Sequence, residues 1–193
     1  MTSIRRFVTI APVAVGILVA TAAPPAAATQ ATSALSPLTD VAIARVLVGD
    51  QVAAAKFGTD QPIDDPVREQ QVLDQARQQA LALGIDPEAT VAFFQDQISA
   101  SKVVQRGLFR LWTAHPDQAP TTRPDLATIR QELDQITTRI MSALKSTQDI
   151  RHRTPRCYVE LVTAKLSGEF TNHLDALHRR ALNVAVASVC TPQ

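Results

Sequence analysis

Two cationic side chains lie in a stretch that is otherwise apolar enough to form a buried helix. The stretch is ARVLVGDQVAAAKF, residues 44–57, and the cations are Arg45 and Lys56, eleven residues apart. Because eleven helical residues make three turns plus about 20°, both side chains would project from nearly the same face. Arginine binds a carboxylate through two parallel hydrogen bonds, and lysine acts as a compact positive charge. The pair therefore predicts a site for a small anion.

Other polar residues near apolar helix faces fit the same kind of site. Arg68 lies in the first turn of the next predicted helix, and Arg130 flanks the apolar stripe of a later one. Each arginine alone is explained as a surface ion pair or as a side chain lying along the surface, but their joint occurrence favours a cluster that binds a small dianion. Ser101 and Gln105 are four residues apart and offer neutral donors on one helix face. Ordinary helix-surface polarity is the alternative for this pair.

Two acidic residues accompany the cations. Asp65 and Glu69 are one helical turn apart. Asp65 precedes a proline at a predicted helix start, so its role as an N-cap is a sufficient explanation for it. Acids among cations in a pocket would also accept hydrogen bonds from hydroxyl groups of a ligand.

Other site chemistries find no support in the sequence. The histidines are residues 115, 152, 173 and 178, and the last two are five apart, about 140° around a helix rather than on one metal-binding face. The sequence has neither a glycine-rich phosphate loop nor a G-x-S-x-G elbow. We therefore expect no metal, no cofactor and no nucleophilic catalysis.

The first 28 residues have the pattern of a cleavable secretory signal peptide. Arg5 and Arg6 precede an apolar run over residues 7–23, and the small-residue sequence PPAAATQ allows cleavage after Ala28. The arginine pair leaves twin-arginine export open beside the general route. The expected mature protein, residues 29–193, is a single domain that is secreted or periplasmic.

The charge of the mature chain limits its partners. Removal of the first 28 residues takes away two arginines and no acids, so 19 basic and 18 acidic residues become 17 and 18. Nucleic acid and anionic membranes both favour a strongly basic face. We therefore expect neither as a partner after signal cleavage.

The mature chain is predicted to be all-helical, because apolar residues recur at spacings of three and four and the apolar–polar alternation of β-strands does not occur. We predict a first helix from about residue 35 or 39 to 56 or 57, a second after Asp65 ending before Gly84, and a third from Asp86 and Pro87 to Leu111. A fourth begins at Leu126, and its length predicts a central position. The last 37 residues are predicted to split at Gly168 into two helices.

Two cysteines, Cys157 and Cys190, lie near the end of the chain. An exported protein meets an oxidising compartment, so we expect them to form a disulfide that joins the last two helices. Two buried free thiols are the alternative.

Four segments together resemble the AroQ class of chorismate mutases, specifically its exported gamma subclass. They are ARVLVGDQVAAAKF, QPIDDPVREQQ, IDPEATVAFFQDQISASKVVQ and DLATIRQELDQITTRI, and their order and spacing hold from about residue 35 to 141. The cysteine-flanked helices up to Cys190 also fit secreted members. The resemblance thus extends over nearly all of the mature chain.

The resemblance implies an all-helical homodimer with each active site within one protomer, which rearranges chorismate to prephenate without a cofactor. It implies that Arg45 and Arg130 bind carboxylates of chorismate. Lys56 would contact a carboxylate and the ether oxygen, Gln105 would be the second donor to that oxygen, and Ser101 would lie near a carboxylate.

The remaining residues match less closely defined parts of the family site. Arg68, with Asp65 and Glu69, corresponds to the segment around the ring hydroxyl. Some secreted members carry glutamate where Gln105 stands, whereas other AroQ enzymes use glutamine. The family leads us to expect a polar side chain where Val72 stands, so the sequence leaves that part of the site unassigned.

A different class of protein would use the same cations without catalysis. An exported helical protein that only binds a small carboxylate ligand, on the same scaffold, needs no donor at the ether oxygen. The intact set of Arg45, Lys56, Arg68, Gln105 and Arg130 favours the enzyme. A purely structural bundle would bind no ligand.

Overall fold

The computed structural model describes residues 32–190 and contains six α-helices in this range. They are α1 (Ser36–Lys56), α2 (Pro66–Leu83), α3 (Pro87–Ala114), α4 (Leu126–Ser146), α5 (Pro155–Thr171) and α6 (Ala176–Ala185). These residues include no β-strand, so the predicted all-α fold is confirmed. Within the same residues, every helix is too short or too polar to cross a membrane. The predicted signal peptide, residues 1–28, lies outside the described range.

The helix starts agree with the capping signals in the sequence. Asp65 accepts a hydrogen bond from the backbone N–H of Arg68, and Asp86 accepts two from the first turn of α3. Asp125 does the same at the start of α4. Each such cap satisfies a helix N–H that has no partner within the helix and stabilises the helix by about 1 kcal/mol.

The predicted split at Gly168 is wrong. Helix α5 continues through Gly168 to Thr171, and the chain turns only at Asn172 and at His173, whose φ is +50°. Gly168 instead lies against α1, where a Cβ atom would come within 2.4 Å of Ile43 Cδ1. This glycine therefore permits the close approach of two helices and does not end one.

The predicted end of the third helix and the predicted central helix also need correction. Helix α3 extends three residues beyond Leu111, to Ala114, and α6 covers only ten residues. The central helix is α1, which packs against α3, α4, α5 and α6. Helix α4 is apolar along one face only, so it lies at the edge of the bundle despite its length. Helix α1 is apolar around most of its circumference, as a helix surrounded by others must be.

Cys157 and Cys190 form a disulfide, as predicted. The bond connects the start of α5 to the residues that follow α6. We expect its reduction to lower the free energy of unfolding by about 3 to 4 kcal/mol, because it closes a loop in the unfolded chain. Activity at low temperature should change less than twofold, since neither cysteine lines the pocket described below. Free-thiol labelling of the unreduced, denatured protein checks the bond, and two reactive thiols per chain would contradict it.

The buried His178 connects α1 to the start of α6. Its Nε2 lies 2.9 Å from Asp50 Oδ1, and its Nδ1 lies 2.8 Å from Asp175 Oδ1. Because both ring nitrogens face a carboxylate, both carry a proton. The hydrogen bond to Asp50, together with that to Asp175, raises the pKa of His178 to about 9, although burial opposes the shift.

The raised pKa predicts how stability depends on pH. The folded-state pKa of His178 exceeds the unfolded value of 6.5, so its contribution is complete below pH 6.5 and is lost as pH rises toward 9. His178→Ala should lower the free energy of unfolding at pH 6.5 by about 1.5 to 3 kcal/mol. Between pH 6.5 and 9, the free energy of unfolding of this variant should fall less steeply than that of the unaltered protein. Urea unfolding at several pH values measures both effects. The exposed His152 provides the control variant, and an unchanged alkaline slope in His178→Ala would contradict the prediction.

Candidate active site

One pocket brings together all eight residues that the sequence predicts for the site. They are Arg45, Lys56, Asp65, Arg68, Glu69, Ser101, Gln105 and Arg130. The pocket lies between α1, α2, α3 and α4 and is closed on one side by residues 61–63 of the loop between α1 and α2. The eleven-residue spacing on α1 indeed places Arg45 and Lys56 on the same wall.

Arg45 is a buried cation without a protein partner for part of its guanidinium. Its Nε and Nη1 atoms are buried and make no hydrogen bond. Burial, with a further contribution from Arg68, lowers its pKa to about 10, although Asp134 opposes the shift. A buried charge is costly unless it is paired. The missing partner is therefore expected to be an anionic ligand in the pocket.

Lys56 is half-buried at the end of α1, and its Nζ donates a hydrogen bond to the carbonyl oxygen of Pro62 at 2.7 Å. An ammonium has three protons, so two remain for a ligand. Burial lowers the pKa of Lys56, and Arg130 adds to this, while Asp65 and Glu69 oppose it. The contact with Pro62 also ties the loop to α1.

Gln105 is buried on α3 and aims its amide at Ser101. Its Nε2 donates to Ser101 Oγ at 3.0 Å, and its Oε1 has no partner. The second proton of the amide remains for a ligand. The two neutral donors thus share one face of α3, as their spacing predicts.

The other arginines carry charge that no carboxylate neutralises directly. Arg68 donates only to the amide oxygen of Gln71, at 3.3 Å, and Arg130 is exposed at the pocket mouth. Within residues 32–190, neither forms an ion pair with an acidic side chain, and the same holds for Arg45 and Lys56. Four cations therefore face one pocket without direct counter-ions.

The acids have structural partners as well as a place in the pocket. Asp65 caps α2, so the capping explanation is correct, and it also lines the pocket. Glu69 Oε1 accepts a hydrogen bond from the backbone N–H of Asp65 at 3.0 Å, so the N-cap residue both accepts from and donates to the first residues of α2. Its other oxygen accepts from Lys102.

Sequence reasoning missed two charged residues of the pocket, Lys102 and Asp134. Lys102 lies three residues before Gln105, and Asp134 lies four after Arg130, so each was detectable by the same helical spacing. Val72, which the sequence left unassigned, also lines the pocket.

The remaining walls are apolar. They are formed by Val52, Ile63, Val72, Ile98, Leu126, Ile129 and Leu133. Residues 32–190 contain no cluster of three His, Cys, Asp or Glu side chains that could hold a metal ion. A pocket with apolar walls, several cations and a few neutral donors suits a small organic dianion and stabilisation of negative charge on it.

Comparisons with known proteins agree with this chemistry. The model of the chorismate mutase type II family matches residues 39–106. The secreted chorismate mutase of Mycobacterium tuberculosis is 35% identical over 181 residues, which cover 92% of this chain and 90% of the relative. The secreted chorismate mutase of Mycolicibacterium smegmatis is 34% identical over 94% of this chain and 99% of the relative.

A solved structure gives the same result for the fold. The crystal structure of chorismate mutase from Burkholderia phymatum superposes with a TM-score of 0.77 at 36% identity, covering 82% of this chain and 96% of that one. Sequence and fold thus agree over most of the chain. This protein belongs to the type II chorismate mutase family.

Proposed function

We propose that this protein converts chorismate to prephenate. The observation that supports the proposal most strongly is the buried Arg45, whose Nε and Nη1 atoms lack a partner in a pocket with four further cations. Chorismate has two carboxylates, so it supplies the missing anions. The membership of the family supports the same substrate.

In the proposed complex, the cations hold the two carboxylates of chorismate. Arg45 and Arg130 bind them, Lys56 contributes to one, and Ser101 lies near a carboxylate. Arg68 stands at the end of the pocket where Asp65 and Glu69 accept hydrogen bonds from the ring hydroxyl. Such contacts hold the flexible enolpyruvyl arm over the ring, which removes much of the entropic part of the barrier.

The reaction is a unimolecular [3,3] rearrangement in which the ether C–O bond breaks as a C–C bond forms. It needs neither a covalent intermediate nor a cofactor, and no atom leaves the substrate. The ether oxygen gains negative charge in the transition state. Lys56 and Gln105 are the proposed donors to it, because each keeps a proton that its protein contact does not use. Donors that already point at the developing charge cost no reorganisation.

The loss of chorismate absorbance in the ultraviolet, measured with purified residues 29–193, tests the proposal. We expect decay far above the uncatalysed rate, with prephenate as the product. Ligand-induced stabilisation separates the alternatives: a ligand at about 100 times its Kd raises the free energy of unfolding by about 2.7 kcal/mol. Stabilisation by chorismate without turnover would indicate an inactive binding protein, and neither effect would indicate a structural bundle.

We also propose that the protein is exported and that its signal peptide is cleaved after Ala28. The basic start, apolar run and small-residue sequence of residues 1–28 support this, as do relatives named as secreted enzymes. Expression of the full chain followed by N-terminal sequencing of the exported protein tests it. A first residue of Thr29 is expected, and retention of the intact chain inside the cell would contradict the proposal.

We further propose that two copies pair through the outer face of α5. Helix α5 packs its small residues on α1, yet it exposes Val159, Val162, Leu166 and Phe170, the last to 82%. A helix that is apolar on both faces is normally covered on both. Two such patches together amount to roughly 1,000 Å², about the lower limit for a specific interface. The proposed occupant is therefore a second copy of this chain.

Phe170→Glu tests the pairing, because it places a charge on the most exposed side chain of the apolar patch. We expect light scattering after size exclusion to show a dimer for the unaltered protein and a monomer for this variant. Leu81→Glu is the control, since Leu81 on α2 is 64% exposed and lies outside the patch. A Phe170→Glu variant that remains dimeric would place the interface elsewhere. Activity should survive dissociation, because the pocket lies within one chain.

A further inference from the structure

We propose that Lys102 is a positioning residue for the proposed reaction: it fixes the Glu69 carboxylate in the orientation that receives the ring hydroxyl of chorismate. This inference rests on the proposed function. Lys102 lies on α3 between the two donor residues of that helix and lines the pocket.

Lys102 forms ion pairs with one acid of the pocket and with one acid of the loop between α1 and α2. Its Nζ lies 2.7 Å from Glu69 Oε2 and 3.0 Å from Asp64 Oδ1. The lysine and glutamate side chains are only 20% and 26% exposed. Burial would lower the pKa of Lys102, but the hydrogen bonds to Glu69 and Asp64 together raise it. Both contacts are therefore charge-assisted, and the one with Glu69 is little screened by solvent, whereas Asp64 is 55% exposed.

Glu69 is held at both of its oxygens. Oε1 accepts from the backbone N–H of Asp65 at 3.0 Å, and Oε2 accepts from Lys102. Two contacts in different directions define the plane of the carboxylate, whereas one contact would leave it free to rotate. Each carboxylate oxygen has a second lone pair, so Glu69 can still accept a bond from a hydroxyl.

Lys102 also resolves an electrostatic conflict. A carboxylate in a pocket for a dianion repels the substrate unless a cation accompanies it. Among the pocket cations, Lys102 alone forms an ion pair with Glu69 in the described part of the chain. Without Lys102, the charge of Glu69 would face the bound carboxylates, and the acid would move toward the remaining arginines.

The neighbouring Arg106 allows the positioning of Glu69 to be distinguished from attachment of the loop that contains Asp64. Arg106, one turn further along α3, binds Asp64 through Nη2 at 2.8 and 2.7 Å, but it does not line the pocket and makes no contact with Glu69. Both cations hold the loop at Asp64, and only Lys102 reaches Glu69. Arg106 is therefore the matched control.

The first test compares Lys102→Met, Lys102→Arg and Arg106→Met by steady-state kinetics with chorismate. We expect Lys102→Met to lower kcat/KM ten- to fiftyfold, with both a lower kcat and a higher KM. The kcat/KM of Lys102→Arg should lie within about threefold of that of the unaltered protein, since a guanidinium also binds carboxylates. Arg106→Met should stay within threefold. A Lys102→Met variant within threefold of the unaltered protein would overturn the inference, as would an equal loss in Arg106→Met.

The second test is a double-mutant cycle with Glu69→Gln. If Lys102 acts through Glu69, adding Lys102→Met to the Glu69→Gln variant should lower kcat/KM by less than a further threefold. Full additivity would overturn the inference, because Lys102 would then act on the substrate directly. If the unaltered protein did not convert chorismate, the proposed function would be refuted. If the unaltered protein were active and Lys102→Met had the same kcat/KM, only the inference about Lys102 would be refuted.

Discussion

Lys56→Ala should lower kcat/KM for chorismate by a hundred- to a thousandfold. The side chain is half-buried in the pocket, and two of its three protons are free for the substrate, because only one is given to Pro62. Loss of one donor to charge that develops in a transition state costs on the order of 3 to 4 kcal/mol. Steady-state kinetics measure the effect, and circular dichroism checks that the helices are retained.

Lys145→Ala is the matched control for this experiment. Lys145 also donates to a backbone carbonyl, that of Gly84 at 3.3 Å, but it does not line the pocket. We expect it to change kcat/KM less than threefold. If Lys56→Ala were equally mild, Lys56 would be an ordinary surface lysine whose only task is to hold the loop at Pro62.

Gln105→Glu should make the activity depend on pH. In the unaltered protein, kcat/KM should be nearly constant from about pH 5 to 8, because an amide does not titrate and the lowered pKa of Arg45, about 10, still lies above this range. A glutamate at position 105 can donate to the ether oxygen only while it is protonated. The variant should therefore retain part of the activity in acid and lose a hundredfold or more by pH 8. The apparent pKa of the decline follows from desolvation, which raises it, and from nearby cations, which lower it.

Gln105→Met distinguishes the loss of the donor from the added charge. Methionine has a similar length and neither donates nor titrates, so we expect low activity that is the same at each pH between 5 and 8. A Gln105→Glu variant as active at pH 8 as the unaltered protein would show that Gln105 does not face the breaking bond. Such a result would also remove the support for Ser101, which lies on the same face of α3.

Several features of this protein were predictable from the sequence because they are local. The caps at Asp65, Asp86 and Asp125 act within four residues, so the starts of α2, α3 and α4 can be read directly. The common face of Arg45 and Lys56 follows from helix geometry alone. The eight site residues were identified by their resemblance to a family, and the structure brings them to one pocket.

Other features depended on contacts between segments far apart in the chain. The sequence does not distinguish a glycine that ends a helix from one that lets two helices approach, and only the position of Ile43 against Gly168 decides between them. The same holds for Lys102, whose spacing on α3 indicates its face but not its partner Glu69, 33 residues earlier. Capping and helical periodicity are properties of a few consecutive residues, whereas the partner of a side chain is determined by how whole helices pack. For this reason the sequence alone determined the starts of α2, α3 and α4 and the type of site, and only the tertiary structure decided where α5 ends and which charges meet in the site.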